Sequence, residues 1–401
     1  MKVVSLTTVF PNAAQPTHGM FVFERLRHLA ERVPLRVVAP VSWRVRGART
    51  VRWREERQGV TVDHPWFFYT PAVLKVLDGC CLFLSAFSTM RRVRRTFAFD
   101  VIDAHFAFPE GFAAALFAAL YDRPFTITMR GTEIPVSADP HRRRAIGWAL
   151  RRADRVIAVA QPLAEYAMSL GVAPERVAVV ANGVDTTVFA PRSRAEARRA
   201  VGMDGGPIIV SVGHLSPRKG FQRVIRVLPA LLKTQPNLRF VIVGGEGAEA
   251  SNKAALEALV DTLGLREHVL FAGAQPPARV AEWLNAADAF VLASDYEGCP
   301  NVVLEALACG RPVVASRVGH VEHMVPSYAG ILVDDPENDD ELTRALDRVL
   351  QERWDSKRIR EYAETQSWTD VATRVIEQWR LAAASRDGAH AEYVSHEKTL
   401  S

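Results

Sequence analysis

The sequence has few cysteines and no long apolar run. Its four cysteines, Cys80, Cys81, Cys299 and Cys309, are too few for a disulfide framework in 401 residues and match no zinc-binding spacing. No stretch of about 18 apolar residues is present, so the sequence offers no candidate transmembrane helix. The apolar start, residues 1–6, is too short for a signal peptide. We therefore expect a cytoplasmic protein in a reducing compartment.

The amino-acid composition is close to the average, but the charge is unevenly distributed along the chain. Hydrophobic residues make up 48% and charged residues 24%, which is typical of globular proteins and excludes a wholly disordered chain. Residues 1–200 carry 29 Lys and Arg against 17 Asp and Glu, whereas residues 201–401 carry 21 against 28. This asymmetry predicts two units with different tasks, the basic one meeting an anionic partner.

Short apolar runs alternate with helical patterns along most of the chain. Such alternation predicts βαβ units and mostly parallel sheets. The predicted strands are residues 2–7, 35–39, 101–104, 125–129, 156–160, 177–180, 208–212, 240–243, 269–272, 289–292 and 312–315. Helices are predicted at residues 21–31, 221–234, 254–263, 277–285, 301–308 and 368–380.

A polar, basic stretch at residues 189–207 interrupts this pattern and is the best linker candidate. We therefore expect an α/β protein with two doubly wound domains, residues 1–190 and 191–367, and a ligand between them at the carboxyl ends of the strands. A helix at residues 368–384 can pack on either domain, including back on the first. Residues 385–401 lose the periodicity and are expected to fray.

The segment 295–307 follows a predicted strand and opens a predicted helix. Pro300 suits the first turn of that helix, where its missing N–H is not needed. The other N–H groups of the turn form a site for a phosphate or diphosphate. Glu297 and Glu305 would repel an anion, so we expect them to bind hydroxyls such as those of a ribose or a sugar. An ordinary strand–loop–helix with two surface glutamates explains the spacing equally well.

Two more segments leave strands with side chains suited to a ligand. Arg218 and Lys219 lie at a strand-to-helix turn, where they can neutralise a diphosphate. Taken alone, they are better explained as a solvated basic loop. His105 follows the predicted strand 101–104 and precedes the loop 109–111. A lone histidine is usually structural, but the carboxyl end of a strand favours a binding role.

Other loops are predicted to form turns that serve a function, although a tight turn alone also explains each of them. Residues 130–133, 182–185 and 244–247 each follow a predicted strand and contain glycine, which supplies the positive φ of a tight turn. The sequence contains no G-x-x-x-x-G-K-[ST] and no H-E-x-x-H motif. Nothing in it predicts a bound metal.

In combination, these segments resemble the retaining glycosyltransferases of family 4, which have the GT-B fold of two Rossmann-like domains facing across a cleft. The stretch from Glu297 to Glu305 resembles the family's E-x7-E signature. Residues 182–189 resemble its N-G-V-D-x3-F segment, and residues 217–220 resemble its lysine loop. The resemblance extends from residue 2 to about residue 380, and the order of the motifs makes it specific.

The resemblance implies roles for the matching residues. Three would be catalytic: His105 contacts the donor sugar near the reacting carbon, Lys219 stabilises the diphosphate, and Glu297 holds sugar hydroxyls. Arg130 and Glu133 would lie on the acceptor side. The implied donor-binding residues are Gly19, His214, Arg218, Lys219, Gly245, Glu297, Gly298, Pro300, Asn301, Val302 and Glu305, with Glu305 on the ribose.

Two positions depart from the family's pattern. Many members carry an arginine where this chain has His214, and that arginine helps to bind the diphosphate. Here His214 would do so only when protonated, or Arg218 would take over part of the task. The loop 11–19 lacks the common double glycine and keeps only Gly19, so its phosphate and acceptor contacts are in question. Both features resemble a branch that includes the teichuronic-acid-type polysaccharide glycosyltransferases.

The implied reaction moves a sugar from a nucleotide-diphosphate-sugar to a hydroxyl acceptor with retention and without a metal or other cofactor. The expected acceptor is a glycan, often lipid-linked, in cell-surface polysaccharide synthesis. Residues 65–69, 73–90 and 91–95 join aromatic and apolar residues to arginines, which favours peripheral docking on the anionic inner face of the plasma membrane. A core-facing helix with a solvated basic end is the equal alternative.

Three other functions remain open. A sugar-nucleotide epimerase with the GT-B fold would bind the same donors, but it would not need Glu297 and Glu305 beside the segment 182–185. A non-catalytic donor-binding subunit is disfavoured by the combination of His105, Lys219 and the two glutamates. Binding of nucleic acid rests on the basic half alone, and we do not expect it.

Overall fold

The computed structural model describes residues 1–70, 74–246 and 251–399, with side chains described up to residue 386. The chain divides into two compact units. The first comprises Met1–Asn182 and the chain from Trp368 onward, and the second comprises Gly183–Ser367. The sequence places the boundary at 190/191, eight residues later. The difference arises because Val184 and Phe189 are buried in the core of the second unit.

The first unit is built on an eight-stranded sheet with the order β10-β9-β8-β7-β1-β2-β5-β4, in which only β4 runs antiparallel to its neighbour. The order reverses direction between β1 and β7, as in doubly wound folds. A two-stranded parallel ribbon, β3–β6, lies apart from it. The strands are β1 (Val3–Leu6), β2 (Leu35–Val38), β3 (Val41–Ser42), β4 (Arg54–Arg57), β5 (Val60–Asp63), β6 (Trp66–Phe67), β7 (Val101–His105), β8 (Phe125–Met129), β9 (Arg155–Ala158) and β10 (Val177–Val179).

Helices accompany this sheet, numbered along the whole chain. They are α1 (Met20–Ala30), α2 (Asp78–Thr96), α3 (Phe112–Tyr121), α4 (Glu133–Val136), α5 (Pro140–Arg152), α6 (Gln161–Ser169) and α15 (Trp368–Thr399). The central strands β1, β7 and β8 are buried along their whole length, as expected for parallel strands with both faces covered.

Helix α15 belongs to the first unit because its apolar stripe packs there. Trp368, Val371, Val375 and Trp379 recur at helical spacing and share a buried core with α1. The sequence prediction ended this helix at residue 384 and left 385–401 as a frayed tail. The helix instead continues to Thr399, beyond the three consecutive alanines at residues 382–384, which favour helix strongly. Residues 400 and 401 lie outside the described residues.

The second unit has a six-stranded, wholly parallel sheet with the order β13-β12-β11-β14-β15-β16. Its strands are β11 (Ile208–Val212), β12 (Arg239–Val243), β13 (Val269–Gly273), β14 (Ala289–Leu292), β15 (Val313–Ser316) and β16 (Gly330–Val333). Its helices are α7 (Arg194–Val201), α8 (Phe221–Leu231), α9 (Lys253–Thr262), α10 (Pro277–Ala286), α11 (Asn301–Ala308), α12 (Val321–Met324), α13 (Asp339–Gln351) and α14 (Ser356–Glu364). The strand order reverses direction between β11 and β14. Both units are therefore doubly wound α/β units, as predicted.

The sequence prediction missed five strands: β3, β4, β5, β6 and β16. Strand β4 reads Arg-Glu-Glu-Arg and lies at the edge of its sheet, where charged side chains discourage pairing with another chain. Strands β3 and β6 have two residues each, too few for a periodic pattern. Strands β5 and β16 have four residues each, and β5 is buried between β2 and β4. The hydrophobic pattern thus revealed most of the buried strands but not all of them.

Gly220 lies where two loops of the second unit approach each other closely. Its φ is +68°, and a Cβ there would lie 1.8 Å from the carbonyl oxygen of Ala293. We expect Gly220→Ala to lower the free energy of unfolding by about 2–4 kcal/mol, from the left-handed backbone and the clash together. Gly264 is the matched control, because its φ is +67° and a Cβ there would meet nothing within 4 Å. We expect Gly264→Ala to cost only about 1–2 kcal/mol, and equal losses in urea unfolding would contradict the close approach.

Candidate active site

The predicted donor-binding residues of the second unit gather at one edge of its sheet. Strand β11 pairs with both β12 and β14, so the loops that follow these three strands start side by side. A doubly wound sheet binds ligands at such a point of reversal. The loop after β11 carries His214, Arg218 and Lys219, and the loop after β14 carries Glu297.

An ion pair joins these loops. The Lys219 ammonium donates to Glu297 Oε1 at 2.6 Å, and only 14% and 8% of the two side chains are exposed. Arg218 Nη1 lies 3.6 Å from Glu297 Oε2 and donates to the Tyr296 carbonyl at 2.7 Å. The two cations and the carboxylate predicted from sequence are therefore in direct contact.

Backbone contacts hold this cluster in place. The Asp295 N–H donates to the Arg218 carbonyl at 2.9 Å, which ties the two loops together. Arg223, a buried residue of α8, donates to the Ala293 carbonyl at 2.5 Å and pairs with Asp295. Sequence reasoning missed Arg223, although an arginine on the apolar face of a predicted helix is itself a signal. Gly319 passes so close to Glu297 that a Cβ there would lie 1.7 Å from its carbonyl oxygen.

Helix α11 begins directly beyond this cluster and carries Glu305. Pro300 precedes the helix, and Asn301 and Val302 form its first turn. The Glu305 carboxylate is half-buried and has no hydrogen-bonding partner within the ranges that the structure describes. Burial raises the pKa of Glu305 to about 7. A carboxylate without a protein partner is suited to accept hydrogen bonds from ligand hydroxyls.

The other predicted donor-binding residues occupy neighbouring positions. His214 is exposed after β11. The carbonyl of Gly245, after β12, accepts the N–H of Leu215 at 2.9 Å, and the carbonyl of Gly298 accepts the N–H of His320 at 3.0 Å. Burial, reinforced by His323, lowers the pKa of His320 to about 4. Of the residues 244–247, Gly247 lies outside the described residues.

In the first unit, His105 ends β7 and is enclosed by polar partners. Its Nε2 lies 3.0 Å from Asp103 Oδ2, and its Nδ1 accepts from Arg130 at 3.0 Å. Burial lowers the pKa of His105 to about 4, because it outweighs the opposing charge of Asp103. The imidazole is therefore neutral with its proton on Nε2. Direct contact with a donor sugar stays a prediction: Arg130 engages Nδ1, and Nε2 lies close to Asp103 without hydrogen-bond geometry.

Asp103 is the centre of this buried network. Besides His105, it accepts from Ser5 at 3.1 Å, Thr126 at 2.8 Å and Trp379 of α15 at 3.3 Å. Burial by itself would raise the pKa of Asp103, but His105 and the hydroxyl of Thr126 lower it to about 2. An aspartate within an apolar strand was the available sequence signal.

The two predicted acceptor-side residues lie beside this network. Arg130 donates to Asn182 Oδ1 at 3.0 Å, and its guanidinium stacks over Phe21 at 5.1 Å. The Glu133 carboxylate accepts the N–H groups of Ala107 and Gly131, and burial raises its pKa. Arg130 and Glu133 are both buried, and their role toward an acceptor stays a prediction.

The loop after β1 ends at Gly19, the residue before α1. Its φ is +71°, and a Cβ there would lie 2.5 Å from the Val9 carbonyl oxygen, so only glycine fits. The same loop is tied to the π-helical turn Ala107–Gly111 through Glu110, whose Oε1 accepts from Thr8 N at 3.0 Å. Burial raises the pKa of Glu110 to about 7.

The segment 182–189 has a structural role at the unit boundary. Val184 bridges to Ser367, and Phe189 is 6% exposed in the second core. Arg360 of α14 donates to the carbonyls of Thr186 and Phe189 at 2.9 and 2.5 Å. This motif anchors the point where the chain enters the second unit.

Two family models match the chain in succession. The model of glycosyltransferase family 4 matches residues 19–188, and that of group 1 glycosyl transferases matches residues 193–366. The chain is 34% identical over 259 residues to the D-inositol 3-phosphate glycosyltransferase of Acidothermus cellulolyticus, a match that covers 61% of this chain and 57% of that protein. It is 28% identical over 371 residues to the putative teichuronic acid biosynthesis glycosyltransferase TuaC of Bacillus subtilis, covering 88% and 90%.

Solved structures share the fold over nearly the whole chain. Sucrose-phosphate synthase from Thermosynechococcus elongatus superposes with a TM-score of 0.79 at 20% identity, covering 96% of this chain and 100% of that one. Anabaena Alr3699/HepE in complex with UDP and glucose superposes with a TM-score of 0.71 at 19% identity, covering 94% of this chain and 98% of that one. These likenesses define the GT-B fold, as predicted. The chain belongs to glycosyltransferase family 4. Its first half matches the family 4 model, and its second half matches the group 1 model.

The raised pKa of Glu305 predicts a pH-dependent cost in stability. Folding raises this pKa from an ordinary value of 4.5 to about 7, so the folded state favours the protonated acid. The penalty is absent below pH 4.5, grows as the pH rises, and is complete above about pH 7. We expect Glu305→Gln to be more stable than wild type at pH 8 by roughly 1 kcal/mol, or about 2–4 °C, and to match it at pH 4.

Glu361→Gln is the control, because Glu361 is exposed on α14. Thermal unfolding followed by circular dichroism at both pH values measures the effect. An identical Glu305→Gln difference at pH 4 and pH 8 would show that the carboxylate is solvated in the folded protein.

Proposed function

We propose that the protein is a retaining glycosyltransferase that moves a sugar from a nucleotide-diphosphate-sugar to a hydroxyl acceptor. The observation that carries the proposal is the contact of Lys219, Arg218 and Glu297 in the loops that precede α11, together with the unpartnered carboxylate of Glu305 about one turn inside that helix. Cations for a diphosphate and carboxylates for hydroxyls stand together at the reversal point of the second sheet. A nucleotide sugar requires both.

In this proposal the second unit holds the donor. Lys219 and Arg218, with the positive end of α11, bind the diphosphate. Glu297 accepts from hydroxyls of the sugar, and Glu305 accepts from the ribose. Exposed His214 adds positive charge only when protonated. The diphosphate thus meets protein cations, and the reaction needs no resident metal ion, so activity should persist in EDTA.

Transfer proceeds through cleavage at the anomeric carbon. The bond from that carbon to the diphosphate oxygen breaks, and an oxocarbenium-like transition state places negative charge on the departing phosphate. Lys219 and Arg218 stabilise that charge, a contribution typically of about 3 kcal/mol per donor in such sites. The acceptor oxygen attacks from the same face and its proton passes to the leaving phosphate, so the configuration is retained. His105 lies at the carboxyl end of β7 in the first unit, where it is neutral and is held between Asp103 and Arg130.

The acceptor in this proposal is a lipid-linked glycan of cell-surface polysaccharide synthesis. Similarity to TuaC over 88% of the chain supports a polysaccharide role. The inositol phosphate relatives are matched over little more than half of their length, so their acceptor is a weaker guide. A GT-B epimerase is the second candidate, favoured only by the shared donor chemistry of the second unit.

A nucleotide-release screen tests the reaction. We expect the purified protein to release nucleotide diphosphate from one of UDP-, GDP-, ADP- or TDP-sugars, and to release more when a lipid extract supplies the acceptor. Glu305→Ala should lower the rate at subsaturating donor by about tenfold or more, because the ribose contact is lost. UDP-glucose is the first donor to try, since HepE was solved with it.

The anomeric configuration of the product, read by NMR coupling, separates retention from inversion. No release from any donor despite measurable binding would overturn the transferase proposal in favour of the epimerase. Inverted product would overturn the retaining mechanism alone.

We also propose that the first unit docks on an anionic membrane. One face of α2, including Leu82, Ala86 and Met90, is buried. The opposite face presents Leu84 and Phe87, followed at helical spacing by exposed Arg91 and Arg95. None of the helices within the described ranges is long and apolar enough to cross a membrane. Of the segment implicated from sequence, Val73 lies outside the described residues.

Liposome sedimentation tests the docking. We expect the protein to pellet with vesicles containing phosphatidylglycerol at low salt and less at high salt. Replacing Arg91, Arg92 and Arg95 by serine should reduce pelleting severalfold. The charge-matched control replaces exposed Arg199, Lys233 and Arg344 of the second unit by serine. No pelleting of the wild type, or an equal loss in both triple variants, would refute docking through α2.

A further inference from the structure

The ribbon β3–β6 borders two cavities of the first unit, and the first of them is lined by many more polar and charged side chains than the second. One, the polar pocket, has a volume of about 290 Å³ and is lined by Gln15, Ser42, Tyr69 and Asp78 among others. The other, the apolar groove, has a volume of about 430 Å³ and is lined by Trp43, Val45, Arg49, Trp66 and Phe68 with Gly47 and Ala48. Val45 borders both.

The alternation of side chains along the ribbon produces this division. Successive residues of a strand point to opposite faces. Phe67 and Tyr69 therefore line the polar pocket, while Trp66 and Phe68 line the apolar groove. The two cavities therefore lie on opposite faces of the same two-stranded ribbon.

The polar pocket has balanced charge and open hydrogen-bonding groups. Its two charged side chains, Lys75 and Asp78, form an ion pair at 3.2 Å, so the pocket offers no net charge to a phosphate. Asp78 Oδ1 is buried without a hydrogen-bond partner among the described residues. Burial lowers the pKa of the lining His18, which keeps it neutral. These groups suit a hydroxyl-rich, uncharged sugar ring.

The apolar groove leaves large side chains in solvent and is edged by cations. Trp43, Trp66 and Phe68 are 48%, 41% and 58% exposed. Arg49 lines the groove, and Arg44 and Arg46 lie on the adjoining chain. None of the three arginines pairs with a carboxylate in the part of the chain that the structure describes. Apolar walls with unpaired cations at the edge complement a hydrocarbon chain attached to a phosphate.

We propose that the ribbon β3–β6 forms a two-part acceptor site for a single-chain amphiphile, with the sugar in the polar pocket, the hydrocarbon chain in the apolar groove and a linking phosphate at Arg44, Arg46 and Arg49. This inference rests on the proposed function and names the acceptor class for it: a sugar carried on a prenyl-type lipid phosphate. It also assigns the discrimination against water-soluble sugars to the groove.

Two synthetic probes test the site by binding alone. Farnesyl α-D-glucopyranosyl phosphate carries the chain, and methyl α-D-glucopyranosyl phosphate lacks it. Isothermal titration below the micellar concentration should give at least tenfold tighter binding of the farnesyl probe, which corresponds to about 1.4 kcal/mol. The ratio of the two Kd values reports on the chain even if the natural sugar differs from glucose.

Single substitutions distinguish the contribution of the apolar groove from that of the polar pocket. Trp66→Ser and Phe68→Ser should each reduce the Kd ratio to threefold or less, whereas Leu120→Ser, which removes an exposed leucine from α3, should leave it unchanged. Asp78→Ala should weaken both probes by a similar factor and preserve the ratio. Circular dichroism and the unfolding midpoint exclude variants that fail to fold.

Three results would overturn the proposal: a wild-type ratio near one, a ratio unaffected by both groove variants, or no effect of Asp78→Ala on either probe. A wild type that sediments as a dimer and becomes monomeric in Phe68→Ser would show instead that a second copy fills the groove. Because the assay needs no turnover, a failed nucleotide-release screen with a large Kd ratio would refute the transferase proposal and leave the two-part site standing.

Discussion

The second unit depends on the ion pair between Lys219 and Glu297. Both side chains are largely buried, and the loops that carry them approach so closely that a Cβ on Gly220 would overlap a carbonyl oxygen. Removing one partner from such a pair leaves a buried charge uncompensated and costs roughly 3–5 kcal/mol. The pair therefore fixes the loops after β11 and β14 and holds a cation beside a carboxylate. A ligand with both an anionic and a hydroxyl-bearing part can compete for the two groups at once.

The first unit is organised by a buried acceptor. Asp103 gathers donors from β1, β7, β8 and α15, so one carboxylate joins the centre of the sheet to the last helix of the chain. Arg130, which donates to Nδ1, fixes the tautomer of the neighbouring His105. This explains why a helix distant in sequence belongs to the first unit: Trp379 contributes both apolar burial and a hydrogen bond to the network.

The sequence predicted the parts of the fold that follow from continuous burial. The predicted bounds of β14 and α11 match the structure, and the reversal points of both sheets place Lys219, Glu297 and His105 at strand ends as expected. It did not predict the partners of these residues. Asp103 and Arg223 are polar residues inside apolar elements, and only tertiary packing reveals what they bind. The ribbon β3–β6 is too short for periodicity, and residues 385–399 continue α15 without a periodic apolar pattern in their sequence.

The most direct test of the account compares UDP with UDP-glucose as ligands of Lys219→Met, Glu297→Gln and the double variant, by isothermal titration. If the screen identifies another donor, that donor replaces UDP-glucose in this test and its nucleoside diphosphate replaces UDP. The account predicts that Lys219→Met weakens both ligands, because the cation binds the diphosphate. It predicts that Glu297→Gln weakens UDP-glucose about tenfold and leaves UDP within twofold, because the carboxylate binds the sugar. Equal effects of Glu297→Gln on both ligands would contradict the assignment and reduce this residue to a partner of Lys219.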